Sequence, residues 1–225
     1  EFKTEYAMLG DAKLVLQGLI EEVAATGRRA DGSVAEKIQA VKREWLDEWM
    51  PQLTSDEVPI NPYRVIWDLM NTIDRKKAII THDSGSPRDQ TIPFYETISP
   101  RGFIAWGKST QLGYSLGLAM GAKMAEPDKQ VINVMGDFAF GSVGMDIETA
   151  VRAELPIITI VLNNSTMAIY NDSRFPVAVG KYNLKSVGGQ FSEVAQALGA
   201  YSEKITDPQE IIPAIKRALE VNRGG

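Results

Sequence analysis

The 225 residues carry 24 Lys and Arg against 29 Asp and Glu, a formal charge of −5, with no basic stripe able to neutralise nucleic-acid phosphates. At 44% hydrophobic residues the chain is long enough to bury one sizeable α/β core. It has no cysteine, hence no disulfide framework, and neither an apolar run of about 18 residues nor an opening signal peptide. The expectation is a soluble, cytoplasmic protein that engages neither nucleic acid nor membrane.

In chain order, Asp11 is a helix N-cap and Gly27 the stop of that helix, with Leu14, Leu16, Leu19, Ile20 and Val23 between them. Asp31-Gly32-Ser33 caps a second, charged helix ending near Trp49-Met50-Pro51. Residues 52–62, rich in Pro, Ser, Asp and Glu, read as a linker. Asn61-Pro62 opens a helix over 63–73, with Pro at its first position, and 78–81 is a short strand. The loop His82-Asp83-Ser84-Gly85-Ser86-Pro87 leaves the carboxyl end of that strand, where Ser hydroxyls and Gly amides suit a diphosphate. His82, the one histidine, reads more readily as structural than as an acid or base. Asp83 fits that loop or a surface charge equally well. Gly113, Gly117 and Gly121 recur every four residues, which fits close helix packing as readily as a ligand role.

Residues 131–135 (VINVM) and 157–162 (IITIVL) are short apolar runs of the kind buried in a parallel sheet. Residues 142–154 lie between them at helical spacing, and Leu155-Pro156 halts that helix, so the whole is one βαβ unit. Gly136-Asp137-Phe138 ends the first run, and 24 residues separate it from Asn163-Asn164 at the end of the second. Ligands of such units sit outside the carboxyl ends of the strands. Asp137 and Asn164 are therefore predicted side by side, offering hard oxygens that suit Mg²⁺ shared with a phosphate. The glycines and the helix start after Asp137 add N–H donors for that phosphate. Ordinary turn chemistry is the alternative for these Gly, Asp and Asn residues; their spacing around a βαβ unit favours the ligand. Residues 171–185 (NDSRFPVAVGKYNLK), polar and broken by Pro176 and Gly180, read as a loop that is either a lid or a plain connector. An amphipathic helix covers 211–221.

The Gly-Asp and Asn-Asn pair at this distance resembles the cofactor signature of thiamine diphosphate (ThDP) enzymes, with Phe138 where that family has its second glycine. Thr110-Gln111-Leu112-Gly113 and the run to Gly121-Ala122-Lys123 resemble the family's segment upstream of the metal motif. Residues 139–149 are similar to the oxalyl-CoA decarboxylase and 2-hydroxyacyl-CoA lyase branch, and the layout of 100–170 to the acetolactate synthase large subunit. The resemblance implies an α/β fold, a parallel sheet flanked by helices, preceded by a helical remnant of a middle domain. Residues 1–59 would be that remnant and linker, and 60–225 the diphosphate- and Mg²⁺-binding domain. It implies Asp137, Asn164 and the carbonyl of Thr166 as metal ligands. Ser84, Gly85, Ser86, Gly136, Phe138 and Ala139 would lie along the cofactor. The Thr110 carbonyl would accept from its exocyclic amine, Leu112 would wedge its two rings into a bent shape, and Ala168 and Ile169 would press against it.

No catalytic acid or base is expected in this chain. The family's activating glutamate lies on another domain, and Glu148 and Glu154 are in the wrong segment to replace it. The active site would form with the protein's own N-terminal domain and a second subunit, leaving this chain inactive alone. The chain opens at Glu1 without Met and halts at Arg223-Gly224-Gly225, where the family continues into a further strand. The expectation is a fragment or cleaved chain, with a natural separate subunit as the alternative. Three functions compete: decarboxylation and carboligation of 2-oxo acids, as in acetolactate synthase; cleavage of an acyl-CoA substrate; and a plain nucleotide-binding regulatory module. Against the last, no Gly-x-Gly-x-x-Gly follows a strand.

Overall fold

A computed structural model describes residues 3–29, 31–105, 111–167 and 171–222. The chain divides into two compact units, Glu1–Trp49 and Met50–Gly225. In the first, the Asp11 carboxylate accepts from the N–H groups of Lys13 and Leu14 and starts α1 (Ala12–Ala25), as its capping chemistry predicts. Leu14, Leu16, Ile20 and Val23 on this helix are exposed. Helix α2 (Ser33–Leu53) begins in that unit and ends in the second, running through Pro51 where a stop is predicted. Pro51 falls in the last turn, and Leu53 just beyond it is fully buried, which holds that turn in helical form.

Nor is the predicted linker loose. Arg64 donates to the carbonyls of Thr54 and Ser55 and to the carboxylates of Asp56 and Asp68. Asn61 caps α3 (Pro62–Thr72) through Tyr63 N–H while donating to Gln52 and Glu57.

Four strands follow: β1 (Ala78–His82), β2 (Phe103–Ile104), β3 (Gln130–Gly136) and β4 (Ile157–Leu162). All pairings are parallel, in the order β2-β1-β3-β4. Between and after them come α4 (Ser86–Thr91), α5 (Tyr114–Ala125), α6 (Asp137–Val143), α7 (Asp146–Arg152), α8 (Pro176–Tyr182), α9 (Phe191–Ala197) and α10 (Ile211–Val221). Helix α5 crosses the sheet with a small-residue face: Leu116, Ala119 and Ala122 meet Ile79, Val131 and Met135. Ala at two of those three positions lets the helix approach the strands closely. Strands β1 and β3 are buried almost throughout, as apolar runs in a parallel sheet should be.

Three predicted elements come out differently. Strand β4 is only half-buried along its length, because it pairs with β3 alone and its open side faces a cavity. The single helix predicted over 142–154 is two helices: a side chain at Gly144 would meet the Phe140 carbonyl oxygen at 2.7 Å, so α6 and α7 hinge on a bare backbone there. The predicted loop over 171–185 contains a 3₁₀ turn (Asp172–Arg174) and α8, which Pro176 opens at its first position. That excursion is clasped at its base, with Met167 N–H on the Lys185 carbonyl and Val187 N–H on the Ser165 carbonyl.

Candidate functional site

Register places the site. His82 pairs with Val134, and Gly136 with Leu162, so β1, β3 and β4 release their next residues on one edge of the sheet. Asp137 leaves β3 there, 3% exposed. Its Oδ1 accepts from Phe138 N–H at 2.7 Å, and its Oδ2 accepts from the backbone N–H groups of Asn164 at 3.1 Å and Ser165 at 2.6 Å. The predicted meeting of Asp137 with the Asn163-Asn164 turn is therefore present as a direct hydrogen bond between the two strand ends. Sequence reasoning places the two side chains next to each other; in the structure the carboxylate grips the backbone of the turn itself.

That turn is built for it. Asn163 Oδ1 accepts from Ser165 N–H at 3.0 Å, and Asn164 Oδ1 accepts from Thr166 N–H at 3.1 Å, two successive side-chain-to-backbone turns. Ser165 sits at φ +58, a conformation that L residues rarely adopt, and it presents its N–H to Asp137. Thr166 bridges Ser186 antiparallel, but the flanking Ser165 carbonyl and Met167 N–H make those bonds, so the Thr166 carbonyl stays out of the ladder.

An ionised carboxylate oxygen can accept two hydrogen bonds, and an amide oxygen also two. Among the described residues Asp137 Oδ1 and Asn164 Oδ1 each accept one, leaving each with hard oxygen capacity. Among the described residues no three His, Cys, Asp or Glu side chains gather as a metal cluster. The oxygens assembled here come instead from one carboxylate, one side-chain amide and the backbone, a set that suits Mg²⁺ completed by phosphate and water.

Across the edge, Ser84, Gly85 and Ser86 lead into α4 and line the same cavity as Leu112, Gly136, Asp137, Phe138, Ala139, Asn164 and Thr166. The cavity measures about 1260 Å³, above the roughly 300–1,000 Å³ of ordinary ligand pockets, because it runs on from the strand tips along the open side of β4. Leu112 packs against the cluster of Leu116, Met135, Ala139, Phe140 and Ile147 and also borders the cavity. Phe138, in place of the family's second glycine, borders the cavity while its N–H holds Asp137. Thr110, Ala168 and Ile169, also predicted to touch the cofactor, lie outside the described residues. Glu148 is half-buried and paired with Arg152.

The surface-charge reading of Asp83 is wrong. Its side chain is 0% exposed and accepts from Ser84 N–H (2.8 Å), Gly113 N–H (3.1 Å to each oxygen), Ser115 N–H (3.2 Å) and Ser115 Oγ–H (2.6 Å). The sequence signal for it was an acid at the carboxyl end of a short strand, with a Gly-x-Ser at 113–115 available to start α5. His82, as predicted, is structural in setting: 1% exposed, its ring 5.3 Å from that of Phe103, and held below its ordinary pKa by burial.

Taken together, the fold and the site define an α/β protein with a cavity at the carboxyl edge of a parallel sheet, where such folds bind their ligands. Residues 83–225 match the family of the thiamine pyrophosphate enzyme C-terminal TPP binding domain, and the chain belongs to that family. The probable acetolactate synthase large subunit of Methanocaldococcus jannaschii is 28% identical over 98% of this chain and 38% of its own length. The acetolactate synthase large subunit of Mycobacterium tuberculosis is 30% identical over 75% of this chain and 31% of its own. The sulfoacetaldehyde acetyltransferase of Alcaligenes xylosoxydans is 26% identical over 94% of this chain and 39% of its own. The chain thus spans about a third of the length of the curated relatives it matches. In fold, it superposes with a TM-score of 0.62 on the thiamine diphosphate-dependent 4-hydroxybenzoylformate decarboxylase of Rhodococcus jostii, at 24% identity over 75% of this chain and 32% of that one.

Proposed function

We propose that this chain supplies the diphosphate- and Mg²⁺-binding half of the active site of an acetolactate synthase-like enzyme, which decarboxylates a 2-oxo acid and transfers the acyl group to a second carbonyl compound. The observation that carries this is the bond from Asp137, at the end of β3, to the Asn164-Ser165 backbone at the end of β4. It joins the two strand ends that carry Asp137 and Asn164, on the wall of the cavity that Ser84–Ser86 also line. When bound, ThDP supplies a nucleophilic carbon able to hold the electron pair released on C–C cleavage.

The chain's own tasks are to bind, orient and exclude water. Asp137, Asn164 and the Thr166 carbonyl would hold the metal, and the Ser84 and Ser86 hydroxyls would donate to the diphosphate. Leu112, backed by Leu116 and Phe140, presents a rigid apolar shoulder to the cavity, suited to forcing a two-ring ligand to bend. Residues 171–185, clasped at their base beside Thr166, would serve as a lid over the bound substrate. The proton-transferring glutamate would come from a partner domain, and the complete site from a homo-oligomer in the cytoplasm.

The relatives support carboligation over acyl-CoA cleavage, since both acetolactate synthases align across most of this chain. Membership of the thiamine pyrophosphate family leaves the nucleotide-binding regulatory reading without support. Product analysis of the intact protein with pyruvate, oxalyl-CoA and glyoxylate, each with ThDP plus Mg²⁺ and again with EDTA, tests the proposal. Acetolactate formed from pyruvate and abolished by EDTA is expected. Turnover of oxalyl-CoA alone would move the protein to the acyl-CoA branch.

A further inference from the structure

Asp83 is a fully buried carboxylate to which the described residues bring N–H and O–H donors. Its own N–H bonds the Val134 carbonyl at 2.8 Å, which extends the β1–β3 ladder by one residue and fixes its backbone to the sheet. From that fixed point its two oxygens reach in two directions. One holds Ser84 N–H, the first residue of the loop that lines the cavity; the other holds Ser115 N–H and Oγ–H; Gly113 N–H lies between, 3.1 Å from both.

Gly113 and Ser115 form the start of α5, with Gly113 at the N-cap position in a left-handed conformation (φ +85). Asp83 thus does for α5 what a local capping side chain would do, from another strand, and its charge sits where the helix dipole favours it. A side chain at Gly113 would come within 2.5 Å of Val143 Cγ1, so only glycine fits this turn without a shift. Leu112 immediately precedes it. The Thr81 hydroxyl, two residues before Asp83, donates to the Ser115 carbonyl at the same joint.

We propose that Asp83 is a positioning residue of the cofactor site: its carboxylate clamps the Ser84–Ser86 loop to the Leu112–Gly113 turn, so that the diphosphate-side donors and the apolar shoulder are set as one rigid piece. This rests on the function proposed above. Among the described residues every group bonded to the Asp83 side chain is a donor, so it must offer acceptors only; an asparagine in its place turns an NH₂ toward at least one N–H. Relaxation of that joint passes directly to Leu112, and displacement of about 1 Å at a positioning group costs up to about a hundredfold in rate.

The test compares the intact protein with its Asp83→Asn and Ser115→Ala variants. Amide hydrogen exchange is measured without cofactor, then ThDP affinity by calorimetry, then turnover of pyruvate. In Asp83→Asn, exchange over 84–86 and 112–116 should quicken at least about tenfold beyond any change in β3, reflecting lost charge-assisted hydrogen bonds. ThDP affinity should fall about tenfold, and turnover at saturating ThDP about tenfold further, with KM for pyruvate within about threefold. Ser115→Ala, which removes the shortest contact alone, should show the same pattern at about threefold. Unchanged exchange at both segments overturns the clamp, as does faster exchange with unaltered affinity and turnover. Should Asp83→Asn fail to fold, Ser115→Ala decides by the same criteria. Absence of ThDP binding by the unaltered protein would sink the functional reading instead; the exchange data, which need no cofactor, still judge the clamp.

Discussion

Two aspartates leave neighbouring strands of the same sheet on the same edge, both buried, and they are equipped for different work. Asp83, after β1, faces donors on every side, five contacts from four groups. Asp137, after β3, accepts three, and its Oδ1 accepts only one of them. A carboxylate saturated by fixed donors has nothing left to offer a ligand and serves as a joint. One held by fewer donors, at the wall of a cavity, keeps oxygen capacity for a cation. Burial and strand position are the same for both; the number of donors brought to each carboxylate separates the clamp from the ligand.

The sharpest way to break this comparison is to neutralise Asp137. Asp137→Asn should weaken Mg²⁺-dependent ThDP binding at least about a hundredfold, about 3 kcal/mol, while moving the melting temperature less than Asp83→Asn does; equal effects of the two substitutions on binding and melting would erase the distinction. Gly113→Ala attacks the donor side of Asp83. The left-handed backbone and the approach to Val143 should together cost about 2–3 kcal/mol, read as a lowered urea midpoint at constant slope.

Leu112→Ala tests the shoulder that the clamp carries. Turnover should drop about tenfold with ThDP affinity changed less than about threefold, because the side chain acts on ligand shape rather than on the diphosphate; a normal rate would count against it. The smallest effect belongs to His82, beside the clamp. Burial depresses its pKa, so the fold keeps the ring neutral while the unfolded chain gains a proton as pH falls through about 6.5. Stability should be complete above that pH and decline on acidification by at most about 1.4 kcal/mol per pH unit. His82→Gln should remove that slope in urea titrations at pH 7 and 5.5.

Much of the architecture is legible because parallel strands announce themselves as uninterrupted apolar runs: 131–135 and 157–162 both become strands, in register. Their difference in burial is not legible, since IITIVL reads as interior whether or not a neighbour covers its outer side. The hinge at Gly144 hides in a helical pattern that continues across it, and depends on contact with Phe140. Pro176 reads as a breaker in a polar stretch, yet at a first position it starts a helix. For the site, Asp137 and the Asn163-Asn164 turn follow from strand ends and turn chemistry. Asp83 does not, because its partners lie some 30 residues away on α5 and only the folded joint brings them to it.

The account stands most directly on calorimetry of the intact protein, titrating ThDP at saturating Mg²⁺ into the unaltered chain and into Asp137→Asn. Saturable heat that EDTA abolishes in the first, and none in the second, is the predicted result. Equal heats from both, or binding that persists in EDTA, would contradict the assignment of Asp137 as the metal-holding carboxylate.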